Sequence, residues 1–220
     1  MLSTYLPYIN SNFSCNTPQT ISQMRRSIII LLSFSFILFV LAANSAPDSV
    51  LDVTQKNLRS GISYYIMPVA RGGGIALGPT SPNKTCPLGV TQLSTHLNGL
   101  PLTFTPVNPN KSVIRLSTDV NIKFLGRTSC NESNVWKLRY DEVMKQYFVM
   151  VGGVEGNPGR ETIDNWFKIE KTDDGYKLVF FPTVCNYCKV ICRDVGIFSD
   201  DNGIRRLALS DVPFYVTFYR

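Results

Sequence analysis

The 220-residue chain has a single histidine, and that scarcity removes most hydrolytic chemistry at once. His96, in the context Thr95-His96-Leu97-Asn98-Gly99, is the sole imidazole on offer as base to a Ser-His-Asp or Cys-His arrangement. No G-x-S-x-G elbow accompanies it, so His96 reads as a surface-turn histidine and the chain as a non-enzyme. Charge is sparse as well. Only 17% of residues are charged, and the net +6 contains no run of lysines or arginines, which argues against a nucleic-acid partner. Gly72-Gly73-Gly74 lacks a following Lys-Ser/Thr, so it reads as a flexible connection and not a phosphate loop. No cofactor is implied. No apolar run reaches the roughly 20 residues that a membrane-crossing helix needs.

The longest such run, Ile28 to Leu41, has fourteen apolar or hydroxyl residues behind Arg25-Arg26 and ahead of Ala42-Ala43-Asn44-Ser45-Ala46. A basic start, a short apolar centre and small residues describe a secretory signal peptide over 24–46. Met24 stands just before the arginines, so residues 1–23 read as an upstream extension and 47–220 as the mature domain. The competing reading is a signal-anchor helix. Removing residues 1–46 takes away two arginines and no acid, which leaves a charge of +4 and no membrane segment. Five cysteines remain, Cys86, Cys130, Cys185, Cys188 and Cys192, an odd number for an oxidising compartment.

From Pro47 onward short runs of β-branched and aromatic residues recur without a helical pattern, among them Tyr64–Val69, Val113–Leu116, Val120–Leu125, Tyr147–Val151, Trp166–Ile169, Tyr176–Phe181 and Leu207–Leu209. Asp173-Asp174-Gly175 and Asp201-Asn202-Gly203 lie between such runs and are hairpin turns. In Trp166–Glu170 the alternation sets Trp166, Lys168 and Glu170 on one face and Phe167 and Ile169 on the other. About a dozen short strands predict one all-β barrel or sandwich.

Several segments, in order, resemble the Kunitz-type soybean trypsin inhibitor family, most closely its miraculin-like branch: Val50-Leu51-Asp52, Ile62–Val69, Gly152–Gly159, Asn165–Glu170, Tyr176–Phe180 and Arg205–Asp211. The resemblance runs from about Val50 to the C-terminus. It implies a β-trefoil of about twelve strands with pseudo-threefold symmetry, six closing a barrel and six capping it.

It also implies an inhibitor that offers a protease a substrate-like loop between the fourth and fifth strands. Alignment places Lys111 at P1 and Ser112 at P1′, behind Asn110. A lysine there would pair with the acidic base of a trypsin-like pocket, and Pro109 would restrict the approach. The asparagine that braces this loop in the family falls at Ser60, whose side chain is shorter and offers fewer hydrogen bonds. Asn110-Lys111-Ser112 is itself a glycosylation acceptor, as are Asn83-Lys84-Thr85 and Asn131-Glu132-Ser133, and a glycan on Asn110 would obstruct docking.

Of the cysteines, the resemblance pairs Cys86 with Cys130, closing about 45 residues and contributing roughly 4 kcal/mol in the chain-entropy model. It also pairs Cys185 with Cys188; separately, a zinc site at these cysteines is the rarer use of cysteine in a secreted chain. The family's partner position for Cys192 is occupied by Phe181, so Cys192 is expected unpaired, with pairing to Cys185 or Cys188, or a disulfide-linked dimer, as alternatives. The expected function is a secreted serine endopeptidase inhibitor of trypsin-like specificity, in the apoplast or vacuole. The alternative is a miraculin-like defence or binding protein with little or no inhibition.

Overall fold

Short strands joined by tight turns favour antiparallel neighbours, and the computed structural model has such pairing throughout. It describes residues 46–81, 84–95, 97–126, 128 and 130–220; the signal segment, Asn83 and His96 lie outside the described residues. Residues 46–220 form one compact unit. Twelve strands follow in order among the described residues: β1 Tyr65–Pro68, β2 Ile75–Ser81, β3 Lys84–Gln92, β4 Leu102–Pro106, β5 Val120–Phe124, β6 Trp136–Asp141, β7 Gln146–Val151, β8 Lys168–Thr172, β9 Gly175–Phe180, β10 Arg193–Ser199, β11 Arg205–Ser210 and β12 Tyr215–Tyr219. One 3₁₀ helix, Arg160–Asn165, adds a helical turn that the sequence pattern did not indicate.

Barrel closure is visible in the pairings. β12 pairs with β1 and β9, β8 with β9, and β4 with β5. Single bridges, Tyr64↔Leu102 and Val120↔Phe167, join the β1 and β4 segments and the β5 and β8 segments. That ring of six is capped by the hairpins β2–β3, β6–β7 and β10–β11, whose inner strands touch one another through Gly89↔Met150, Arg206↔Thr91 and Ala208↔Phe148. The architecture is a β-trefoil. Val113–Leu116, read as a strand, makes only isolated bridges, Arg59↔Val113 and Ser49↔Arg115.

Turn chemistry sets the hairpins. Thr172 faces Gly175 across Asp173-Asp174. In the next hairpin the Asp200 carboxylate accepts the Asn202 and Ile204 amides, and Gly203 takes φ +78°, a conformation glycine adopts without strain. The barrel is filled by two chains of rings. Phe124, Trp136, Phe167 and Phe180 follow one another at 5.6–6.1 Å, and Tyr64, Phe104, Phe218 and Tyr176 at 5.4–6.2 Å. At the start of β8 the expected two faces are both covered: Trp166 and Lys168 are as buried as Phe167 and Ile169. The outer face is roofed because Trp166 Nε1 donates to Thr162 in the 3₁₀ helix, while Lys168 Nζ donates to Thr183.

The glycine triplet is packed, not flexible. Gly73 and Gly74 are buried and hydrogen-bonded to Leu93 and Leu97, and a Cβ at either would strike neighbouring backbone.

Asp52 ties down the first turn of the domain. It is 3% exposed and accepts from the Thr54 amide and hydroxyl and from the Lys56 amide. Burial pushes its carboxyl up, but the Thr54 hydroxyl, the two amides and the Lys56 charge outweigh burial and hold it below the ordinary value. A depressed folded-state value stabilises above the unfolded value of about 3.9 and is lost as pH falls through the folded one. Melting curves should therefore show a gap between the parent and Asp52→Asn that is constant above about pH 5 and closes below about pH 4. A gap unchanged at acid pH would contradict this role.

Candidate functional site

The loop between β4 and β5 leaves a fully paired ladder that ends at Pro106↔Val120, followed by the Val107 amide donating to the Asp119 carbonyl at 2.9 Å. Beyond it, Asn108 opens a β-turn with Pro109 at the second position. The Lys111 amide donates to the Asn108 carbonyl at 3.0 Å, and the Asn110 amide to Asn108 Oδ1 at 3.0 Å. Asparagine first and proline second is the composition such a turn favours. Residues 108–112 are all exposed. The Lys111 ammonium makes no ion pair or hydrogen bond among the described residues, so the side chain is available to a partner.

The returning limb is braced by the segment that carries Ser60. The Ser60 amide donates to the Ser112 carbonyl at 2.7 Å, Arg59 bridges Val113, and the Ile114 amide donates to the Leu58 carbonyl at 2.9 Å. Ser60 thus touches the loop through its main chain; its hydroxyl forms no hydrogen bond among the described residues. Gly61 allows this approach, because φ +75° at the third position of the Arg59–Ile62 turn suits glycine. The Tyr64 hydroxyl accepts the Arg59 amide at 3.0 Å and fixes the turn from the core. Leu58 and Ile114, both buried, root the two limbs.

A second anchor has no motif to announce it. Asp119 is 4% exposed, and its carboxylate accepts the Thr183 amide at 3.1 Å and the Thr183 hydroxyl at 2.6 Å. One residue therefore holds the stem of the 107–113 loop by its carbonyl and the 181–192 connection by its side chain. Lys168 Nζ reaches the same Thr183 hydroxyl and lies 5.3 Å from the Phe181 ring. Below β5, Asn121 donates to the Asn165 carbonyl and accepts the Gly156 amide, and Lys123 pairs with Glu155 at 2.8 Å. These contacts make the loop an exposed turn on a fixed base.

Cys86 is bonded to Cys130 and Cys185 to Cys188. Cys192 is disulfide-bonded too, which corrects the expectation of an unpaired thiol. Its partner is neither Cys185 nor Cys188, whose sulfurs are used up in their own bridge. The acceptor asparagines Asn110 and Asn131 are exposed.

A family model described as trypsin and protease inhibitor, of the legume Kunitz type, matches residues 50–220. The chain belongs to the legume Kunitz family. Miraculin from Synsepalum dulcificum is 49% identical over 214 residues, covering 89% of this Kunitz chain and 97% of miraculin. Kunitz trypsin inhibitor 5 from Arabidopsis thaliana is 49% identical over 180 residues, covering 80% and 87% of the two chains. Among solved structures, a Kunitz-type cysteine protease inhibitor from potato superposes with a TM-score of 0.70 at 33% identity, over 80% of this chain and 98% of its own.

Proposed function

We propose that this Kunitz chain is a secreted inhibitor of serine endopeptidases, which it engages by inserting Lys111 into a trypsin-type pocket. The observation that carries this reading is the exposed, partnerless Lys111 between two anchored limbs, one held at Asp119 and the other at Ser60. A fixed base limits the entropy lost on docking and keeps the ends of a cleaved loop in register. Entry into the secretory pathway would take the protein to the apoplast or vacuole and expose Asn110 and Asn131 to glycosylation.

Two observations favour the second reading, a miraculin-like binding protein with little inhibition. The Lys111 amide is held in a turn, whereas a substrate strand presents it to the protease, and Asn110 lies in an acceptor sequence beside P1. The test uses protein secreted from a eukaryotic host, titrated against trypsin and papain before and after enzymatic removal of glycans. Stoichiometric inhibition of trypsin, restored or increased when the glycan is removed, is the expected result. No inhibition of trypsin in either form would establish the second reading instead.

A further inference from the structure

A cleft of about 340 Å³ lies between the chain leaving β1 and the chain entering β12, and none of its lining residues belongs to the 107–113 loop or its braces. Its walls are apolar: Pro68, Pro213, Phe214 and Tyr215. They are fixed by main-chain bonds, the Val69 amide to the Tyr215 carbonyl at 3.0 Å and the Phe214 amide to the Val195 carbonyl at 2.9 Å. Its polar groups are Arg71, Arg205, Gln92 and Asp174.

Arg205 is aimed by a buried residue. Gln92, 7% exposed, accepts from Arg205 Nε at 2.9 Å and donates to the Gly73 carbonyl at 3.3 Å. Gly72 is part of this arrangement, because a Cβ there would strike Gln92 Nε2. The glycine triplet thus makes room for the side chain that orients the arginine. With Nε held, the two terminal nitrogens of Arg205 make no hydrogen bond among the described residues, and Arg71 makes neither a hydrogen bond nor an ion pair among them. Asp174, the single acid in the lining, pairs with neither.

We infer that this cleft binds a small aromatic carboxylate, its ring against the proline and aromatic wall and its carboxylate on the Arg205 guanidinium, with Arg71 adding charge. Two cations against one acid select a monoanion, and a guanidinium fork matches a planar carboxylate. The volume is near the lower end for ligand pockets and suits a single ring. The inference is independent of the protease reading.

The probe is 4-hydroxycinnamate, titrated into the full secreted protein by calorimetry and ligand-observed NMR. A Kd on the order of 0.1 mM is expected for a ligand of that size. Arg205→Met should weaken binding about tenfold, Gln92→Leu less, and the uncharged methyl ester should bind at least about tenfold more weakly than the acid. If Arg205→Met disturbs the melting curve, Arg71→Met is the substitute, being exposed and without a hydrogen bond or ion pair among the described residues, with about a threefold weakening expected. The inference is overturned by no saturable binding up to about 5 mM, by an ester that binds as well as the acid, or by both arginine variants binding as the parent does.

Discussion

Lys111→Ala is expected to weaken trypsin inhibition by about a hundredfold or more while leaving the melting temperature unchanged. A buried anchor at the centre of a protease interface commonly carries 2 kcal/mol or more, and a lysine facing an acidic pocket adds charge complementarity to packing. In the free protein the same side chain has no hydrogen bond or ion pair among the described residues, so its removal takes little from the fold. Exposed substitutions of that kind stay within about 0.5 kcal/mol in stability. The amide is a separate matter. Opening the Asn108–Lys111 turn to free the Lys111 N–H gives up one hydrogen bond, about 1 kcal/mol or roughly fivefold in affinity, which the parent bears as well and which cancels in the comparison. Inhibition constants for trypsin, measured with parent and variant, decide it. Equal inhibition by both would remove Lys111 from P1.

Where side chains speak locally, the sequence was readable. Bulky alternating runs marked β5, β7, β8, β9 and β11, and the Asp-Gly and Asn-Gly turns marked the reversals. Strands β2 and β3 carry Gly78, Pro79, Pro87 and Gly89, which look like breakers until the cap is assembled. Gly78 then lies against the Thr91 side chain and Gly89 beside Met150, contacts that leave no room for a larger residue at Gly78. Barrel closure uses single bridges between residues about forty to fifty apart, Tyr64↔Leu102 and Val120↔Phe167, and a β1–β12 ladder between the two ends of the domain, and no local pattern encodes pairing at such range. Trefoil was therefore reachable only through the family resemblance.

The site divides the same way. Lys111 and Ser60 came from alignment, and the structure sets them on facing limbs. The contact is made by the Ser60 backbone N–H, which any residue but proline could supply, so it does not depend on the side chain. Phe181 occupies the family partner's position for Cys192, and no local pattern in the sequence points to another partner; the Phe181 ring lies beside Lys168 Nζ, and Cys192 is nonetheless disulfide-bonded. Lys168 looked like a solvent-facing residue of an alternating strand. Its burial follows from the 181–192 connection folding over β8, a tertiary event.

That covering connection depends on Asp119, and Asp119→Ala is expected to destabilise the protein by about 3 kcal/mol, lowering the melting temperature by roughly 10 °C. Hydrogen bonds to a charged acceptor contribute about 1.5–3 kcal/mol each, and the substitution deletes those from the Thr183 amide and hydroxyl together. It also strips the nearby negative charge from Lys168, which is 7% exposed and has Thr183 Oγ as its one hydrogen-bond acceptor among the described residues. Asp119→Asn, which keeps an acceptor oxygen but loses the charge, should cost about half as much. The bond from the Val107 amide to the Asp119 carbonyl is main chain and survives either substitution. Inhibition of trypsin should accordingly fall less than tenfold at a temperature where the variant is folded, a loss set by softer anchoring and not by a missing contact. Thermal melts and inhibition constants on the same samples separate the two effects. A melting temperature within about 2 °C of the parent would show that the Thr183 bonds carry little of the fold, and a loss of inhibition as large as that of Lys111→Ala would mean that the 181–192 connection forms part of the protease-binding surface.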